Sequence, residues 1–282
     1  MIVFSLAGIF SLAVILYGAS AISSMDSLAI TNVRVSGVET DDEAVALRAS
    51  ALESLQGDYL GVFARENTII YPKRSIASRI VSEFPWVGSV SVSREGAHSI
   101  ELSISEKEPA ALVCATLPDF NGNDLSLEDP GSCYFADGKG YIFRKAPSFS
   151  GNVYRRYYMP DLGSDASTTD AIVGTVASTS VGFENLEKFY VSVSGQGIIS
   201  DAILTKPDGE YELYARNPVS DSSTVSTVVI YFNSASPLDE QATNLVSFWK
   251  HMVEQARTKK QSMKFDSIDV RYGANVFYRE SK

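Results

Sequence analysis

The sequence predicts an α+β protein in three parts: an apolar N-terminal helix, a small strand-helix-helix-strand-strand unit, and a larger, mainly antiparallel β region carrying one long helix. Three observations carry this. Residues 1–25 hold no charged side chain, and Ile2 to Ile22 is almost wholly apolar or small. Between residues 30 and 105 the apolar positions recur first at every second residue, then at helical spacing, then at every second residue again. Beyond residue 108 short β-prone runs alternate with turn residues until an amphipathic stretch starts at Leu238. The parts fall at 1–25, 28–107 and 108–282.

Composition narrows the function. Of 282 residues, 45% are hydrophobic and 21% charged, which is ordinary for a folded chain and excludes wholesale disorder. The formal net charge is −10. Neutralising phosphates needs a basic face, so nucleic acid is not an expected partner.

The twenty-one residues from Ile2 to Ile22 would span roughly 31 Å as a helix at about 1.5 Å per residue, near the hydrocarbon thickness of a bilayer. The expectation is a retained transmembrane anchor over 1–25. A cleaved signal peptide is the rival, because Ala19-Ser20-Ala21 has the small residues of a cleavage site. Against cleavage, the run is longer than the usual apolar region of about 7–15 residues and lacks a basic flank. The remainder of the chain offers no second span, so the expected location is the plasma membrane, single-pass, with the C-terminal part extracytoplasmic.

Ile30 to Val38 alternates and breaks at Gly37, which reads as a strand. Thr40 with Glu43 three residues on has the capping-box pattern, and Ala44, Leu47, Ala51, Leu52 and Leu55 form a helical stripe ended by Gly57. Pro72 suits a first helical turn; Ile76, Ile80 and Val81 give a second helix that Pro85 stops. Trp86 to Arg94 and Ser99 to Ser105 then alternate around Glu95-Gly96-Ala97-His98 as a hairpin. Further on, Asp137-Gly138 and Lys206-Pro207-Asp208-Gly209 mark turns, and Phe189–Val193, Ile198–Leu204, Tyr211–Ala215 and Thr227–Phe232 read as strands. A helix follows from Leu238 to Lys260, started by Ser236 and Pro237, with Leu238, Ala242, Leu245, Trp249, Met252 and Ala256 as its apolar stripe.

Cys114 and Cys133 sit in no C-x-x-C or zinc-like cluster. They are either two buried thiols or a disulfide closing the loop between them, which an oxidising space would favour.

Several of these stretches together resemble the FtsQ/DivIB family of bacterial division proteins. Ile30–Gly37 resembles the opening strand of a POTRA domain, Phe84–Arg94 is similar to that domain's Pro-led strand, and Ile100–Ala111 to the strand that leaves it. Cys133–Phe143 resembles the family's later hairpin, and Asp269-Val270-Arg271-Tyr272 its terminal strand. The resemblance covers most of 1–143 and 185–282 and fails over Arg144 to Glu184. The charged tail usual before the span is missing, as is a proline in the hairpin after Arg94.

The resemblance implies a divisome scaffold supporting septal cell-wall synthesis at the division septum. Its partners would be an FtsB/DivIC-like protein, which adds a strand to the final sheet edge, and an FtsL-like protein. Ala274, Asn275, Val276, Phe277, Tyr278 and Arg279 would form that edge. The same residues also read as plain sheet residues packed on the last helix. The alternative function is a POTRA-bearing envelope-assembly or secretion factor, which would need downstream barrel strands that the remaining length does not hold.

No enzyme is expected, nor any cofactor, metal or small-molecule substrate. G-x-x-x-x-G-K-[ST], H-E-x-x-H and G-x-S-x-G are all missing, and the two histidines, His98 and His251, leave little material for a His-based triad or metal site. Asp119-x-Asn121-x-Asn123 begins like a calcium loop, but Asp124 replaces the glycine at position six and Pro130 the glutamate at position twelve.

Overall fold

The computed structural model describes residues 2–115, 133–147, 153–160, 162, 172–217, 226–259 and 264–281, the side chains of 2–9 and 11–13 excepted. It divides into two compact units, Met1–Glu108 and Pro109–Lys282.

The first unit opens with helix α1 (Ile2–Ser23) and a single 3-10 turn, Asp26–Leu28. Its body runs β1 (Asn32–Ser36), α2 (Asp41–Ser54), a two-residue pair β2 (Asp58–Tyr59) and β3 (Phe63–Ala64), α3 (Lys73–Glu83), β4 (Val87–Arg94) and β5 (Ser99–Glu106). The strand-helix-helix-strand-strand order of the sequence reading is therefore present, with the small β2–β3 hairpin added. Three strands form one sheet in the order β1-β5-β4, β1 parallel and β4 antiparallel to the central β5. Thr40 starts α2 as read, its hydroxyl accepting from the Glu43 amide at 3.3 Å. Pro72 stands one place before α3 rather than inside it. Val33, Leu47, Ile76, Ile80, Ile100 and Leu102 close the core between the helices and the sheet.

Among the described residues no helix is long and apolar enough to cross a membrane. This overturns the expected transmembrane anchor over 1–25, and with it the single-pass plasma-membrane location. The end of α1 shows why a tally of apolar residues misleads. Its last turn carries two serines, Ser20 and Ser23, and both bond to the unit. Ser20 Oγ donates to the Val62 carbonyl at 2.6 Å. Ser23 is buried, accepting from the Ala64 amide at 2.9 Å through its hydroxyl and from Asn67 Nδ2 at 3.0 Å through its carbonyl.

The second unit is built on one nine-stranded mixed sheet. In chain order its elements are β6 (Ala111–Cys114), β7 (Cys133–Ala136), β8 (Ile142–Lys145), β9 (Arg155–Tyr158), α4 (Phe183–Ser194), β10 (Ser200–Thr205), β11 (Glu210–Arg216), β12 (Thr227–Asn233), α5 (Leu238–Lys259), β13 (Phe265–Tyr272) and β14 (Asn275–Glu280). The spatial order is β14-β13-β12-β11-β10-β9-β6-β7-β8. Five of the eight neighbouring pairs are antiparallel; β6–β9, β9–β10 and β12–β13 are parallel. Parallel neighbours need a crossover, and α4 and α5 supply two of them. Phe183, Leu186, Phe189 and Val193 of α4 and Ala242, Leu245, Trp249 and Met252 of α5 join one core with Val113, Tyr157, Ile203, Leu213, Ile230 and Ile268 of the sheet. The alternate strand positions, including Leu112, Tyr158, Leu204 and Tyr214, form a second cluster on the opposite face.

Two readings are corrected here. Phe189–Val193, expected as a strand, lies inside α4, where Phe183, Leu186, Phe189 and Val193 recur at helical spacing. The stretch Arg144 to Glu184, over which the resemblance fails and for which no strand was named, contains β9, a central strand of the sheet. The Asp119–Asn123 turn, the carboxylate pair Glu128-Asp129, whose sequence reads as flanking a turn or helix start, and Lys260 lie outside the described residues.

Candidate functional site

A sheet has two edges, and in this one they are treated differently. The start of β8 is covered on its outer side: Ile142 donates its amide to the Thr175 carbonyl, Gly174 donates to Ile142 and Ala177 to Gly140, each at 2.8 Å. Tyr141 and Val176 complete the cover as an isolated bridge. β14 ends the sheet at the other side. It is six residues long, carries neither Lys nor Pro, and is exposed at every position except half-buried Val276. Such a strand offers a row of backbone donors and acceptors to another chain.

The candidate residues fall as follows. Ala274 is in the turn after Gly273, whose φ of +62° favours glycine. Asn275, Val276, Phe277, Tyr278 and Arg279 are all in β14, which pairs antiparallel with β13 at Asp269↔Phe277 and Ile268↔Tyr278. Because strand side chains alternate, Val276 and Tyr278 share the α5 face with Ile268 of the core, while Asn275, Phe277 and Arg279 share the other. Both readings of these residues are thus served by one strand. Val276 packs on the core, and Phe277 remains 56% exposed.

Neighbours that the sequence reading did not single out hold this edge in place. On the helix face, Tyr278 meets Phe248 of α5 and Phe265 of β13, with ring centroids 5.2 and 5.6 Å away. Asn244 of α5 donates to the Gly273 carbonyl at 2.8 Å and so ties the helix to the hairpin turn. On the other face Tyr272 packs edge-on against Phe277 at 5.7 Å. Arg271 stacks over Tyr231 and Tyr272 and binds Asp269 through Nε at 2.9 Å and Glu210 through Nη1. The hydrogen bonds it donates to Asp269 and then to Glu210 hold the Arg271 guanidinium above its ordinary pKa, so it stays a fixed cation. A helical stripe predicts which α5 residues are buried. It does not reveal that Phe248, on the flank of that stripe, leans toward the last strand.

Cys114 and Cys133 stand directly opposite each other in the β6–β7 pair and are disulfide-bonded, both buried. His98 is an exposed hairpin residue whose Nδ1 lies 3.0 Å from the Ala29 carbonyl, and His251 is an exposed residue of α5. Among the described residues no group of three or more His, Cys, Asp or Glu is placed to hold a metal ion.

A second buried polar group lies between β9 and α4. Tyr157 donates to Glu187 at 2.6 Å, and Arg155 pairs with the same carboxylate at 2.9 Å. Burial first, and the adjacent Glu187 charge second, push the Tyr157 phenol far above its usual range, so it remains a neutral donor. Its partners are satisfied internally, and it serves to seat α4 on the sheet. No family model matches the chain, and no curated protein matches it.

Proposed function

We propose that this chain is a non-enzymatic binding scaffold whose β14 edge accepts a strand from a partner protein. One observation carries the reading: β8 begins against Gly174–Ala177, whereas among the described residues no segment pairs with the outer side of β14, which exposed aromatic side chains rim. A peptide laid along β14 gains main-chain hydrogen bonds over six residues, and alternate side chains meet Phe248 and Tyr278 on one face and Tyr272 and Phe277 on the other. The motif resemblance to the FtsQ/DivIB proteins makes an FtsB/DivIC-like partner, itself joined to an FtsL-like protein, the first candidate. The activity would then be assembly of the bacterial division machinery for septal wall synthesis.

The test is a pull-down or titration with the partner's strand peptide. Val276→Pro removes a backbone N–H and Phe277→Lys blunts the edge, so each should weaken binding about tenfold or more. Lys259, at the far end of α5, should be replaceable without effect. Undiminished binding by a folded Val276→Pro chain would place the interface elsewhere.

A further inference from the structure

The order of side chains along β14 suits it to a second copy of itself. Asn275-Val276-Phe277-Tyr278-Arg279 is balanced about its centre: Phe277 is flanked by two apolar residues, and those by two polar ones. We infer that the open edge also forms an isologous dimer, β14 against β14 in antiparallel sense, about a two-fold axis normal to the sheet at Phe277. This deepens the proposed function, since it rests on the same edge being a strand acceptor and makes a second copy the competitor of the partner strand.

The geometry restricts the register. An axis normal to the sheet keeps each face on its own side, so opposing residues must be of equal parity. Centred on Phe277, the pairing sets Phe277 against Phe277 and Asn275 against Arg279 on one face, and Val276 against Tyr278 on the α5 face. Aromatic–aromatic and aromatic–β-branched pairs are among the favourable cross-strand combinations, and no like charges meet. Centred on Tyr278, the pairing would oppose Val276 to Glu280 and Phe277 to Arg279. Centred on Arg279, it would oppose two guanidiniums. The helices also fit. The α5 helix packs across β12, β13 and β14. With its axis over β13, the two α5 helices stand three strand spacings apart, about 14 Å, against the roughly 8–10 Å of helices in contact.

The chain's two cysteines are bonded to each other, so Phe277→Cys introduces the single free thiol of the full-length protein. Directly opposite residues lie about 5 Å apart between Cα atoms in an antiparallel pair. Mild oxidation should therefore give covalent dimers of Phe277→Cys and few of Tyr272→Cys, which is equally exposed but has no opposing copy of itself in this register. Sedimentation of the unmodified chain over a concentration series should show the mass doubling. The midpoint should move up about tenfold or more in Val276→Pro. Phe277→Lys, which leaves the backbone donor intact, should move it the same way and guards against a misfolded proline variant. A constant mass, or dimers that cross-link equally at both cysteines and persist in both variants, would overturn the inference. Partner-peptide binding measured below the dimer midpoint separates the two ideas: binding without any dimer sinks only this inference, and a dimer without binding sinks only the proposed partner.

Discussion

Tyr278 of the open edge strand rests against Phe248 of α5, ring centroids 5.2 Å apart, and both rings close on Phe265 of β13 at 5.6 and 5.8 Å. This aromatic triangle is the contact through which the last helix supports the last strand. Phe265 is buried, Phe248 half-buried and Tyr278 48% exposed, so the triangle is anchored at one corner and open at another.

Phe248→Ala should therefore cost less than the roughly 3–5 kcal/mol of a phenylalanine removed from a full core, about 2 kcal/mol. It should also weaken strand-peptide binding, because Tyr278 loses the ring that fixes its orientation. Urea unfolding gives the first number and a peptide titration the second. A stability loss below about 0.5 kcal/mol, the range of ordinary surface substitutions, would show that the triangle supports nothing.

The Cys114–Cys133 bond gives a second expectation. The bond joins residues 19 apart, so it closes a loop of eighteen, for which the chain-entropy account gives about 3 kcal/mol. Cys114→Ala/Cys133→Ala should lower stability by that order in urea unfolding. Cys114 is fully buried, so reduction of the folded protein should be slow and should speed up in denaturant. Rapid reduction by a mild thiol under native conditions would show that β6 and β7 part readily.

The first unit was legible because its signals are local. A capping box at Thr40, a stop at Pro85 and alternation over Ser89–Arg94 need no knowledge of the rest of the chain. The central strand β9 was not legible for the opposite reason. Tyr157 and Tyr158 are both fully buried, one on each face, so Arg155-Arg156-Tyr157-Tyr158 shows no alternation. In α4 the β-prone residues Phe189 to Val193 hid a helical period that appears only when Phe183 and Leu186 are included. Apolarity over 1–25 suggested a span, whereas Ser20 and Ser23 find their hydrogen-bond partners in Val62, Ala64 and Asn67, about 40 residues on. The residues of the candidate edge could be named from sequence. That no described segment pairs with β14 on its outer side, while the start of β8 is bonded to Gly174–Ala177, depends on strand order, which is a tertiary fact.

Acid should expose the role of Glu83. Its carboxylate accepts from Ser50 of α2 and from Arg79 at 2.6 Å, and these two hydrogen bonds, that of Ser50 foremost, hold its pKa below the ordinary 4.5. A depressed folded-state pKa means that the contribution is complete above the unfolded value and is lost as pH falls through the folded one. The wild-type chain should thus melt higher than Glu83→Gln at neutral pH, and the gap should close as pH falls through the depressed pKa of Glu83. Melting curves of both chains from pH 7 to pH 3 measure it. A gap that stays constant with pH would mean that the charge of Glu83 contributes nothing.

Arg271 offers the sharpest separation of stability from binding. Its guanidinium spans β13 to β11, taking Asp269 and Glu210, and its plane stacks over Tyr231 and Tyr272; Tyr272 in turn backs Phe277 of the edge. The pairs are only partly buried, with side-chain exposures of 22%, 19% and 35%, so their Coulombic worth is largely screened. What Arg271→Ala removes is the fork and the stack together, leaving two carboxylates without their cation. A loss of about 1–2 kcal/mol in urea unfolding is expected. Arg271→Lys should recover only part of it, because an ammonium cannot serve two carboxylates as a planar fork or stack between two rings. Strand-peptide binding should fall in both variants at temperatures where both remain folded, since Tyr272 no longer holds Phe277 in register. Full recovery of binding by Arg271→Lys would reduce the role of this residue to its charge, and the tyrosine stack would then have no part in presenting the edge.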